Sequence, residues 1–355
     1  MNKRKIYLDI LRIIATIAVI VIHIVAIPLL QQDVKSINFT IYTIIDSLAR
    51  FSVPVFFMMS GALFLGNKET NYKKLYFKNI LRLFICLCIF FFFYSYLGTY
   101  FTTNKLLNTN EIKNIIKSFL SGKLYIHLWF LYYIIALYII SPLLKKLVIN
   151  LNEKKDIYYY IILMFIFIGI LPTLSEFKIF RHIEFLNNFN LGFFSGYISY
   201  FVLGYLLDNY ELNKKEYKAI NILGIIGILT ISIGTIFLSI RYKGLSDILF
   251  EYESFPVMLY SIFIYINAKK IFSKITLTNK QEKKIVKLSS LTFGIYLIHL
   301  FFINILLVYN QTPMNDLLNN LPFTTTIILT ALIFLLSLLY SMIISKIPIL
   351  NKYLI

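Results

Sequence analysis

Ten apolar runs recur along this 355-residue chain, at approximately 7–30, 40–65, 80–100, 125–144, 157–174, 191–208, 219–240, 254–268, 288–309 and 323–345. An apolar run of about 18–25 residues is long enough to cross the hydrocarbon core of a bilayer as a helix. In lipid every backbone N–H and C=O must find a partner inside the protein, which leaves helices and closed barrels as the only spanning structures. Continuous apolar runs, with 59% hydrophobic residues overall, select helices. The expected fold is therefore all-α, a polytopic membrane protein with about ten transmembrane helices, multi-pass in the cell membrane.

The formal net charge of +18 raises nucleic acid as a partner. A nucleic-acid reader gathers its basic residues on a solvated domain, and no stretch between the runs is long enough to form one. The charge reads instead as topology. With the N-terminus inside, cytoplasmic segments hold 23 Lys and Arg against 9 outside, so both termini are expected to be cytoplasmic. Residues 269–287 form the richest inner segment, and Lys73, Lys74, Lys78 and Arg82 crowd the inner end of the third run. Such clusters contact anionic lipid or hold a phosphorylated cosubstrate. The first run is too long, and Ile27-Pro28-Leu29-Leu30-Gln31 too poor in small residues, for a cleaved signal peptide. Cys86 and Cys88, at i and i+2, point to different faces of their helix and suit neither a disulfide nor a metal. Residues 1–355 are expected to form a single membrane domain, with no permanently bound cofactor and no metal.

Arg12 and His23 lie eleven positions apart in the first run. At about 100° and 1.5 Å per residue they share one helical face and stand roughly 16 Å apart along the axis. Asp9 and Thr16 fall near the same stripe. Ionisable residues at membrane depth usually face a polar interior and serve a substrate or proton path. The bland alternative is an Asp9–Arg12 ion pair at one rim, with His23 reaching the headgroups at the other. Arg50, with Asp46 as its i−4 neighbour, either neutralises itself in a salt bridge or lines the active cavity. Pro54 frees backbone carbonyls in the same run. His299 is either a helix–helix hydrogen-bonding residue or part of the site. His127 and Trp129 open the fourth run, where Trp129 reads as a belt anchor or a stacking platform. His182 reads as solvated, and Glu251 and Glu253 either meet a polar acceptor or sit in water.

These residues resemble the acyltransferase-3 family of integral membrane acyltransferases. Tyr7-Leu8-Asp9-Ile10-Leu11-Arg12 followed by His23 is similar to the family's Arg-x10-His signature, and Arg50-Phe51-Ser52-Val53-Pro54-Val55-Phe56-Phe57-Met58-Met59-Ser60-Gly61 to its second-span segment. His127-Leu128-Trp129-Phe130-Leu131-Tyr132, Tyr200-Phe201-Val202-Leu203-Gly204-Tyr205 and Phe293-Gly294-Ile295-Tyr296-Leu297-Ile298-His299 fit later segments in the right order. Where the family often carries two arginines three apart, this chain reads Asn79-Ile80-Leu81-Arg82, so only Arg82 is carried over. One branch of the family adds a C-terminal hydrolase-like domain. This sequence ends shortly after its tenth run, so transfer is expected to be completed within the membrane domain or with a partner.

The resemblance implies transfer of an acyl group, commonly acetyl from acetyl-CoA, to a hydroxyl of an envelope glycan or glycolipid, which is O-acetylation of a surface polysaccharide. In that scheme His23 is the general base and Arg50 an oxyanion donor. Arg12, Arg82 and Lys78 hold the phosphates of the acyl-CoA. Asp9, Asp46, His127, Trp129, Glu251, Glu253 and His299 support the acceptor side. Membrane lipids, acyl-CoA and the glycan are the expected partners. The rival readings are a polysaccharide or lipid-linked sugar transporter or flippase, and a succinyl transferase of the same family.

Overall fold

The computed structural model describes residues 4–66, 71–103, 108–122, 127–151, 153–177, 196–309 and 314–354. His182 and the first part of the 191–208 run lie outside these residues. Among the described residues there are helices and no strands. Nine helices among them are long and apolar enough to cross a membrane.

The first helix, α1, is Ile6–Leu29. The second run folds as two stacked helices, α2 (Ile37–Ala49) and α3 (Ser52–Phe64), with a turn at Arg50-Phe51 between them. Pro54 explains the turn, because it has no N–H to give the Arg50 carbonyl four residues back and its ring crowds that carbonyl. Next come α4 (Lys74–Phe101), α6 (Trp129–Val148) and α7 (Lys154–Ser175), with the short amphipathic α5 (Thr109–Leu120) between α4 and α6. Asn108 caps α5 and exchanges hydrogen bonds with Glu111, which closes its N-terminus. The remaining longer helices are α8 (Tyr197–Asn209), α9 (Lys214–Tyr242), α10 (Phe255–Phe272), α11 (Asn279–Tyr309) and α12 (Pro322–Ser345), with short helices Met314–Asn320 and Pro348–Leu354 before and after α12. The thirteen residues of α8 are the described part of the sixth run and are buried among other helices.

Hydrogen bonds and ion pairs fix which helix ends lie together. Lys5 and the Tyr7 hydroxyl both bind the buried Asp208 carboxylate at the end of α8. Lys269, near the end of α10, donates to the Leu207 and Asp208 carbonyls at 2.9 and 2.7 Å. At the other end the Asn38 amide and the Tyr42 hydroxyl of α2 donate to the Asn319 and Leu318 carbonyls, both at 2.7 Å, just before α12 begins. The start of α1 and the end of α12 therefore share one end of the bundle, called here the near end. Cys86 and Cys88 are free, and the Cys86 thiol donates to the Tyr353 carbonyl at 2.7 Å.

The tightest crossing is α3 on α8. A Cβ at Gly61 would stand 1.6 Å from the Phe201 carbonyl oxygen, and one at Gly204 would stand 1.9 Å from that of Met58. Small residues let membrane helices approach backbone to backbone, and here each glycine meets the carbonyl three residues before the other. The same α3 supplies one wall of the cavity described next, through Val53, Phe56, Ser60 and Phe64.

Candidate active site

A cavity of about 570 Å³ lies between α1, α3, α4, α6 and α11. Its near-end lining is polar: Arg12 from α1, Lys74, Asn79 and Arg82 from α4, and Ser289 and Ser290 from α11. Midway it is narrowed by Phe64 and Tyr138, whose rings stack with centroids 3.8 Å apart, beside Ser60 and Phe293. The far end is lined by His23, His127, Trp129, Tyr252 and Tyr296. One cavity thus joins both members of the Arg12–His23 stripe.

The two near-end arginines meet fixed neighbours. An Arg12 Nη1 donates to the Ser289 hydroxyl at 3.4 Å, and the Arg82 guanidinium sits 5.1 Å over the Phe293 ring. Asp9 departs from the expected stripe. Its two oxygens take Arg4, at 2.7 and 2.8 Å, and it does not line the cavity, so the Asp9–Arg12 ion pair does not form. Bonding to the Asp9 carboxylate raises the pKa of Arg4. Thr16 turns back to donate to its own helix at the Arg12 carbonyl, 2.8 Å away. Lys78 is exposed and lies off the cavity, and Lys74 lines it in its place. Lys74–Ile80 is π-helical, with i→i+5 bonding, and from this stretch Lys74 and Asn79 reach the cavity while Lys78 does not.

At the far end three histidines from three parts of the chain converge. The His23 and His299 rings are 5.2 Å apart, and His127 and His299 are 5.5 Å apart. His299 Nδ1 is 2.7 Å from the Tyr296 carbonyl, which only accepts, so Nδ1 carries the proton and Nε2 a lone pair. That Nε2 is buried and has no hydrogen-bond partner. Two tyrosines fasten the group: Tyr296 donates to the His127 carbonyl at 2.6 Å, and Tyr94 to the Leu297 carbonyl at 2.8 Å. Among the described residues no group of three or more His, Cys, Asp or Glu is arranged to hold a metal ion.

Arg50 takes the salt-bridge alternative. Its guanidinium donates to both Asp46 oxygens, at 2.9 and 2.6 Å, and to the Phe250 carbonyl at 3.3 Å, and lies 4.3 Å over the Phe250 ring. Neither Arg50 nor Asp46 lines the cavity; the pair ties the break in the second run to the loop before α10. Trp129 faces inward, stacked on Tyr252 at 5.8 Å and 28°, which fits a wall of the cavity better than a belt anchor. Glu251 and Glu253 lie beside this wall and off the cavity lining, and partial burial raises the pKa of both carboxyls. Sequence reasoning missed Ser289, Tyr138 and Tyr296, whose hydroxyls on apolar helices read as packing until their neighbours are known, and Tyr252, in the loop before α10.

A cavity with fixed arginines at one end and imidazoles at the other can hold a long ligand by its anionic end and offer a base to its other end. Comparison with family models matches residues 5–345 to an acyltransferase domain, that of the acyltransferase-3 family. Comparison with curated proteins and with solved structures finds no match. The match covers nearly the whole chain, including every residue of the cavity, and so the chain belongs to the acyltransferase-3 family and is a membrane acyltransferase.

Proposed function

We propose that the protein moves an acetyl group from acetyl-CoA, supplied at the near end, to a hydroxyl of an envelope glycan or glycolipid at the far end. The observation that carries this reading is the single cavity joining Arg12, Lys74 and Arg82 to His23 and His127. The nucleotide phosphates sit against Arg12 and Arg82, whose planar guanidinium groups suit phosphate, with Lys74 adding point charge. The pantetheine arm passes the Phe64–Tyr138 stack and brings the thioester to His23. The neutral imidazole takes the proton of the acceptor hydroxyl as its oxygen attacks the thioester carbon. The carbon–sulfur bond then breaks, and the thiolate leaves with the proton from the imidazolium. Trp129 and Tyr252 offer an aromatic wall for the acceptor. Arg50, already committed to Asp46 and Phe250, acts by holding this wall rather than as an oxyanion donor.

Purified protein in lipid nanodiscs, given acetyl-CoA and membrane extract as acceptor, separates this reading from its rivals by release of free thiol. An acetyltransferase releases it, a flippase releases none, and a succinyl transferase releases it only from succinyl-CoA. In the same assay Arg82→Ala is expected to raise the KM for acetyl-CoA about tenfold, since a charge-assisted hydrogen bond is worth roughly 1.5–3 kcal/mol. An unchanged KM would move the phosphates elsewhere.

The proposed direction requires the near end to be cytoplasmic. In a variant lacking the two native cysteines, Lys352→Cys should react with an impermeant maleimide only in opened cells, and Lys35→Cys in intact ones. The reverse pattern would invert the donor and acceptor ends.

A further inference from the structure

The resemblance places His299 among the residues that support the acceptor side, and no step of the proposed acyl transfer uses it. It is wholly buried and does not line the cavity; it stands behind His23, one layer from the site. A buried acceptor without a donor is costly, and a leucine or phenylalanine would fill the space without that cost. Its orientation is nevertheless fixed, because the Nδ1 hydrogen bond to the Tyr296 carbonyl leaves the Nε2 lone pair free. The two imidazoles nearby are His23 at 5.2 Å and His127 at 5.5 Å between ring centres. Of these, only His23 changes its proton count during acyl transfer.

We infer that His299 is the positioning residue for His23, its bare Nε2 accepting a hydrogen bond from one ring nitrogen of His23 so that the other ring nitrogen presents its lone pair to the acceptor hydroxyl. The ring separation of 5.2 Å is within the range of two imidazoles joined by one N–H···N bond, and in this arrangement the bond forms by rotation of the His23 ring. The bond selects one tautomer of the base, and it persists when His23 becomes an imidazolium, which needs a partner for its second N–H. No proton passes to His299. This is the role a third group plays behind a nucleophile–base pair. The sequence leaves His299 as either a helix–helix hydrogen-bonding residue or part of the site, and only the packing of α11 on α1 brings it to His23.

The inference rests on the proposed role of His23, and the test separates the two. Thiol release is measured with monodisperse protein in nanodiscs, using acetyl-CoA and membrane extract. His299→Phe, or His299→Leu where the phenylalanine variant does not accumulate, is expected to lower kcat by roughly 10- to 100-fold with the KM for acetyl-CoA unchanged. His299→Gln, whose amide oxygen accepts the same hydrogen bond, should recover most of the rate. Full activity in the apolar variants, or an equal loss in the glutamine and apolar variants, overturns the positioning role. If His23→Asn is inactive while an apolar His299 variant is fully active, only the positioning role fails. If His23→Asn is itself active, the acyl-transfer scheme falls with it.

Discussion

Replacing His23 with asparagine is expected to lower acyl transfer by roughly 10²-fold or more while the protein still inserts, folds and binds acetyl-CoA. Asparagine keeps polarity and approximate size at the far end of the cavity, so the packing of α1 on α11 is retained. What it loses is a nitrogen able to take a proton. The donor site is some eleven residues away along the helix, roughly 16 Å, so the KM for acetyl-CoA should stay within about twofold. A histidine that only filled space would tolerate the change, and near-wild-type thiol release by the asparagine variant would remove the general base from the mechanism.

The largest loss of folded protein is expected at the α3–α8 crossing. Gly61→Ala places a methyl group where the Phe201 carbonyl oxygen now stands, 1.6 Å from the ideal Cβ position, and Gly204→Ala does the same against Met58 at 1.9 Å. Both obstacles are backbone, which unlike the end of a flexible side chain cannot swing aside. Overpacking in a core costs typically 1–3 kcal/mol, and with two helix backbones forced apart each change should reach about 3 kcal/mol or more. The readout is the monodisperse fraction in size-exclusion chromatography and the temperature at which it is lost. Gly244→Ala, which meets nothing within 4 Å, is the control and should behave as wild type. Retention of the folded fraction in both α3–α8 variants would mean that the two helices do not cross this closely.

The parts of the molecule legible in the sequence were those governed by local rules. Nine of the ten apolar runs fold, among the described residues, as helices long and apolar enough to cross a membrane, and helical periodicity placed Arg12 and His23 on one face, where the cavity does contain both. The i, i+4 rule paired Asp46 with Arg50, and Pro54 marked the break beside them. What escaped lies in local departures from a regular helix and in contacts between residues far apart along the chain. Asp9 takes Arg4, which stands two residues before α1, rather than Arg12. Lys74, and not Lys78, lines the cavity from the π-helical start of α4. The meeting of His23, His127 and His299 has no signature in any one segment, since three helices must pack before those rings come together.

The central claim is that an acyl group passes from a thioester at the near end to a glycan hydroxyl at the far end of one bundle. The most direct measurement uses inverted membrane vesicles from cells producing the protein, which carry their own acceptor, supplied with acetyl-labelled acetyl-CoA on the exposed near face. The account predicts that label enters the glycan or glycolipid fraction as a base-labile ester, and that vesicles carrying His23→Asn incorporate none. Equal incorporation in vesicles without the protein, or incorporation unaffected by His23→Asn, would contradict it.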